Sequence, residues 1–145
     1  GLPMEIETSR DFKRGREKVL ASFRDPARFE SVMGEIGAQV ARTAQPPEAS
    51  WNGAITWSGE PRPFTASSVE TARDETIRLT IVAAVAGAVF TFDFYDLPDG
   101  GCQVIAKGTI TAHTLLAKLT LQSLRLMKGK AEARVRRFVI GMGKP

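Results

Sequence analysis

The chain has 145 residues, of which 43% are hydrophobic and 25% charged, a size and balance that suit one ordinary folded domain and argue against disorder. No apolar run approaches the roughly 18 residues of a membrane-spanning helix, the richest stretch from Thr80 to Phe94 being interrupted by Gly87 and Asp93. With Cys102 the only cysteine and His113 the only histidine, neither an internal disulfide nor a Cys/His metal cluster can form, so no metal and no cofactor is expected.

After Gly1 to Pro3, Met4 to Phe12 alternates loosely as a first strand. Met4 is followed by charged residues rather than an apolar segment, which is not a signal-peptide pattern; with the free thiol, this leads to a cytoplasmic expectation. Arg16 to Phe23 sets Val19, Leu20 and Phe23 on one side of a short helix. Asp25-Pro26 stops it and starts a second, Ala27 to Met33.

Beyond Gly34 and Gly37 the texture changes to strands and turns. Ala38 to Thr43, Trp51 to Trp57, Phe64 to Ala72, Thr76 to Val85, Val89 to Leu97 and Cys102 to Thr111 read as strands, with short spacers that imply antiparallel neighbours. Pro98-Asp99-Gly100-Gly101 is the strongest hairpin signal. Phe90, Phe92 and Phe94 alternate with Thr91, Asp93 and Tyr95, which gives one aromatic face and one polar face. In the next strand Ala106 and Gly108 are small on the face that should meet a cover.

Thr114 to Met142 reads as one amphipathic helix of about 40 Å, with Leu116, Leu124, Met127, Ala131, Val135, Phe138 and Met142 in one sector. Its back is basic: from Leu115 onward there are eight cations, among them Lys118, Arg125, Lys128 and Arg136, against Glu132 alone. A solvated helix back accounts for this charge; a contact toward an anionic membrane or an acidic protein is the alternative. No motif or aromatic platform for nucleic acid accompanies it.

The order of strand, two short helices, six strands and a long last helix is similar to the helix-grip fold of the SRPBCC or START-like superfamily, over residues 4–145 as one domain. Arg24-Asp25-Pro26-Ala27-Arg28 resembles the Asp-Pro-x-Arg turn found between its paired helices. The groups closest in texture are the polyketide cyclase and lipid-transport proteins and those like the G-type subunit of carbon monoxide dehydrogenase. The resemblance implies an α+β fold in which a curved antiparallel sheet of about seven strands wraps the last helix and leaves a cavity for an apolar small molecule.

Three readings follow. The first is binding or transport of a lipid- or polyketide-like molecule between Trp57, Phe64, Phe90, Phe92, Ala106 and Gly108 on the sheet and Leu124, Met127, Ala131 and Val135 on the helix. The second is a cyclase or dehydratase in the same cavity, which needs an inward ionisable group. The third is an accessory domain docking through the basic helix. No residue is assigned a catalytic role: His113, Asp93 and Tyr95 fall on polar strand faces, no nucleophile elbow surrounds a serine, and Cys102 reads as a small edge residue.

Overall fold

In a computed structural model, which describes residues 2–57 and 59–145 (for Trp57 the backbone only), the two periodicities of the sequence become one sheet and four helices. The order is β1 (Met4–Phe12), α1 (Arg16–Arg24), α2 (Pro26–Glu35), β2 (Ala38–Ala44), β3 (Ala49–Trp57), β4 (Glu60–Ala72), β5 (Thr76–Ala83), β6 (Ala86–Asp96), β7 (Cys102–Ala112), α3 (Leu115–Arg125) and α4 (Lys128–Gly143). The seven strands form one antiparallel sheet in the order β1-β7-β6-β5-β4-β3-β2. Every neighbour except β1–β7 is consecutive in the chain, so the short turns dictate the topology.

Period-two alternation places one row of residues after another on the inner face. Trp51, Ala66, Ile81, Ala88, Ile110 and Met4 are partners across successive strands, and so are Glu70, Ile77, Phe92, Ala106 and Thr8. Register shifts at Arg42–Ala44 and Glu70–Ala72 bend the β2 and β4 ends of the sheet. Two glycines sit opposite aromatic rings in these rows. A Cβ on Gly108 would lie 2.6 Å from the ring of Phe90, and one on Gly53 would lie 2.4 Å from Phe64. The rings therefore lie flat across the neighbouring backbone.

Asp25 accepts a hydrogen bond from the Ala27 amide at 3.0 Å and caps α2, whose first residue is Pro26; the motif that breaks one helix also starts the next. Glu30 ties α2 to the far sheet edge. It accepts from two guanidinium nitrogens of Arg42, at 2.7 and 2.9 Å, and from the indole N–H of Trp51 at 2.9 Å. These bonds, led by that with Arg42, hold the Glu30 carboxyl below its usual range.

The last helix differs from the expectation of one straight rod. Leu126 and Met127 interrupt it, Met127 leaving helical geometry at φ −117° and ψ 31°. The preceding turns are weakened by Thr120 and Ser123, whose hydroxyls donate back to the carbonyls of Leu116 and Leu119, and Gly129 disfavours continuation. The expected apolar stripe consequently breaks up: Met142 is buried, Leu124, Ala131, Val135 and Phe138 are half-buried, and Leu116 and Met127 are exposed. Cys102 is likewise not an edge residue. It lies between Phe12 and Asp96 in an interior strand, and burial pushes its thiol up and out of the reactive range.

Two expected outcomes test this packing. Gly108→Val should cost about 1–3 kcal/mol in urea unfolding by displacing the Phe90 ring, and adding Phe90→Ala should return part of that loss in a double-mutant cycle. Because the Glu30 carboxyl is depressed in the fold, its stabilisation is complete above the ordinary glutamate pKa of about 4.3 and is lost as pH falls through the folded value. The melting-temperature gap between the native chain and Glu30→Gln should therefore be wide at neutral pH and narrow progressively as pH falls below about 4.3.

Candidate functional site

A cavity of about 550 Å³ opens between the inner sheet face, the α1–α2 junction and the carboxyl half of α4. Its floor is apolar. Ala49, Ser68 and Leu79 are cross-strand partners on β3, β4 and β5, and the small side chains of the first two leave the space. Aromatic rings wall it: Phe29 lies 4.2 Å from Trp51 and Phe92 stacks on Phe138 at 5.8 Å, centroid to centroid, while Phe23 meets Phe94 edge-on at 5.0 Å behind the wall. Met142 supplies an adaptable thioether at the helix side.

The mouth is polar and held by ion pairs. Arg24, last residue of α1, donates to both oxygens of Glu70 at 2.7 and 2.8 Å and to Asp74 at 2.7 Å. Glu70 also accepts the Asp74 amide at 2.7 Å, which fixes the tight turn where Asp74 adopts φ 61°. The Arg24 guanidinium, chiefly through its bond to Glu70, stays charged well beyond the usual range, and the same bond holds the Glu70 carboxyl below its own. Arg73, Asp25, Pro46 and Pro47 complete the rim. Glu70 stands on the inner row with Ile77 and Phe92, immediately before the register shift of β4.

Of the residues expected to line a ligand site, Phe92 is in this cavity wall. Phe90 stacks beside it at 6.5 Å and covers Gly108, so the room left by that glycine is filled from within the sheet. Phe64 covers Gly53 on β4, and Ala106 is fully buried beneath Phe92. Leu124 and Ala131 pack instead on a second apolar cluster of Met4, Ile6 and Leu121, and Val135 packs against both that cluster and the main core. Met127 is exposed, and Trp57 pairs with Glu60 in the sheet while its side chain lies outside the described residues. Ala49 and Ser68, the opposed small residues on the inner face, and Arg24 with Glu70 at the rim were not among the expected site residues. The pattern was present in the sequence, but only strand register sets Ala49 against Ser68.

His113 is exposed, and Thr114 rather than His113 caps α3, accepting the Ala117 amide at 3.1 Å. Asp93 faces away from the phenylalanines and accepts the Thr76 hydroxyl at 2.6 Å, while Tyr95 is exposed. Lys118, Arg125 and Lys128 lie on or beside α3. Arg136 lies elsewhere, in a shallow groove between β1 and α4 with Thr8 and Glu132. Among the described residues no group of three His, Cys, Asp or Glu side chains is placed to hold a metal ion, and no helix is long and apolar enough to cross a membrane.

No protein-family model and no curated protein sequence matches the chain. Solved structures do. The ZhuI aromatase/cyclase from Streptomyces sp. R1128 aligns with a TM-score of 0.70 at 10% identity, over 97% of this chain and 93% of that one. A conserved protein from Geobacillus kaustophilus gives 0.70 at 14% identity, over 97% and 93%. The di-domain aromatase/cyclase StfQ of the steffimycin biosynthetic pathway gives 0.67 at 12% identity, over 98% of this chain and 50% of that one. With its seven-stranded antiparallel sheet, paired short helices and carboxyl-terminal helix, the chain has a helix-grip fold, which it shares with these solved structures.

Proposed function

We propose that the protein binds or carries an apolar small molecule, lipid- or polyketide-like, in the cavity between sheet and last helix. The single observation that carries this reading is the space of about 550 Å³ with an aromatic wall and an ion-paired rim. The size falls within the roughly 300–1,000 Å³ of small-molecule sites, and burial there contributes on the order of 25 cal/mol per Å² of apolar surface. Phe23, Phe29, Trp51, Phe92 and Phe138 present ring faces and edges, which favours a ligand with rings of its own over a plain acyl chain. The aromatase/cyclases among the structural neighbours support the same ligand class.

Binding is favoured over cyclase or dehydratase chemistry by the ionisable groups at the rim. Glu70 is locked in a bidentate pair and held charged, and Arg24 is held protonated, so neither is poised to exchange a proton near neutral pH. Asp25 is engaged as a helix cap. Ser68 faces the cavity without a histidine among the residues lining it. The work of the rim groups is to orient the polar end of a ligand and to keep the mouth closed.

A thermal-shift screen of fatty acids and aromatic polyketide-like compounds tests the proposal. A true ligand at a hundredfold excess over its dissociation constant stabilises the fold by about 2.7 kcal/mol. Ser68→Phe, which fills the floor, should leave the unliganded protein folded and abolish the shift. A shift that survives in Ser68→Phe, or a native chain that no such compound stabilises, would count against the cavity as a binding site.

A further inference from the structure

Helix α3 is apolar on two sides. Leu121 is buried against Met4 and Ile6, with Leu124 beside it, which accounts for the inner side. At about 100° per residue, Leu115, Leu116, Leu119 and Leu126 all fall on the side away from Leu121. They are 76%, 74%, 53% and 89% exposed. The patch continues onto the β5–β6 hairpin, where Val82 and Val85 are exposed and the carbonyl of Val85 accepts the His113 amide at 2.7 Å, one residue before the cap of α3. Among the described residues no core contact explains this stripe, and a water-facing run of leucines on one short helix is what an interface residue set looks like.

The charges decide what the stripe meets. Between Leu115 and Ala131 stand Lys118, Lys128 and Lys130 and no acid at all, together with Arg125, whose guanidinium donates to the carbonyls of Leu2 and Pro3. Were a second copy to cover the stripe about a twofold axis, the same cations would be brought against themselves, an arrangement that like-charge repulsion disfavours. An anionic lipid surface is complementary on both counts. The leucines enter the boundary between headgroups and acyl chains, and the long lysine side chains reach back to the lipid phosphates and carboxylates. We propose that α3 with the adjacent hairpin tip is a docking surface for anionic membranes. The surface is separate from the cavity, so docking and ligand binding can succeed or fail independently.

Co-sedimentation of the full chain with vesicles tests this. Phosphatidylcholine vesicles containing one third phosphatidylserine should bind the protein, vesicles of phosphatidylcholine alone should bind it about tenfold or more weakly, and added salt should weaken the first case. Leu119→Glu should lower the partition coefficient about tenfold or more, with circular dichroism and melting temperature unchanged, because the side chain leaves no core. Leu126→Ser, at the most exposed position, should move binding the same way. Binding that ignores phosphatidylserine, is absent altogether, or is untouched by both substitutions overturns the proposal. So does a concentration-dependent dimer in sedimentation velocity that Leu119→Glu dissolves, since that would give the stripe to a second copy.

Discussion

The close seating of the carboxyl end of α4 is the contact on which the remaining structure depends. Gly143 lets the helix backbone lie on the ring of Phe12, where any Cβ would come within 2.3 Å, and Gly141 gives the same access to Val32 of α2 at 3.1 Å. Arginine side chains finish the helix: Arg28 donates to the carbonyl of Gly141 and Arg14 to that of Gly143, at 3.3 and 2.8 Å. Cations at this end complement the helix dipole as well as satisfying carbonyls that have no partner in the helix. The seam fixes β1, both short helices and α4 in one block, with Val19, Leu20 and Val139 almost wholly buried inside it.

The cavity follows from that seam. With α4 pinned at its end, Phe138 and Met142 stand at a set height above the sheet, and whatever the sheet fails to fill beneath them stays open. Beneath β6 and β7 the space is filled, because Phe90 lies over Gly108. Beneath β3 and β4 it is not, because Ala49 and Ser68 oppose each other. The same junction that seats α4 also forms the rim: Asp25 caps α2 while Arg24, one residue earlier, reaches across to Glu70 and Asp74. The Asp-Pro-x-Arg turn thus divides its work, with Asp25 and Pro26 placing the helix, Arg28 holding the end of α4, and the preceding arginine bracing the rim.

Much of this was legible in the sequence. Alternation in Phe90 to Asp96 and the Pro98-Asp99-Gly100-Gly101 turn located strands and pairing correctly, and Asp25-Pro26 located the helix break, because each signal is local and has a stereochemical cause. The seven-stranded meander then followed from short spacers. The division of the last helix was not legible, since the helical wheel carries a phase across Leu126 and Met127 that the backbone does not. That lost phase put Leu116 on an inner face where it does not belong, and it hid the outward leucine stripe of α3. The cavity was displaced for a different reason. A small residue predicts room, but only the register shows whether a neighbouring ring takes it, as Phe90 does at Gly108, or leaves it, as at Ala49 and Ser68.

A tightly seated α4 over an unfilled patch of sheet should hold an apolar guest through mild handling. Native mass spectrometry of the protein, purified gently without detergent, tests that claim most directly. The expected result is a discrete added mass of small-molecule size that vanishes on denaturation and is absent from a chain with Ser68 enlarged to Phe. A single bare protein mass, unchanged after incubation with ring-bearing apolar compounds, would contradict it.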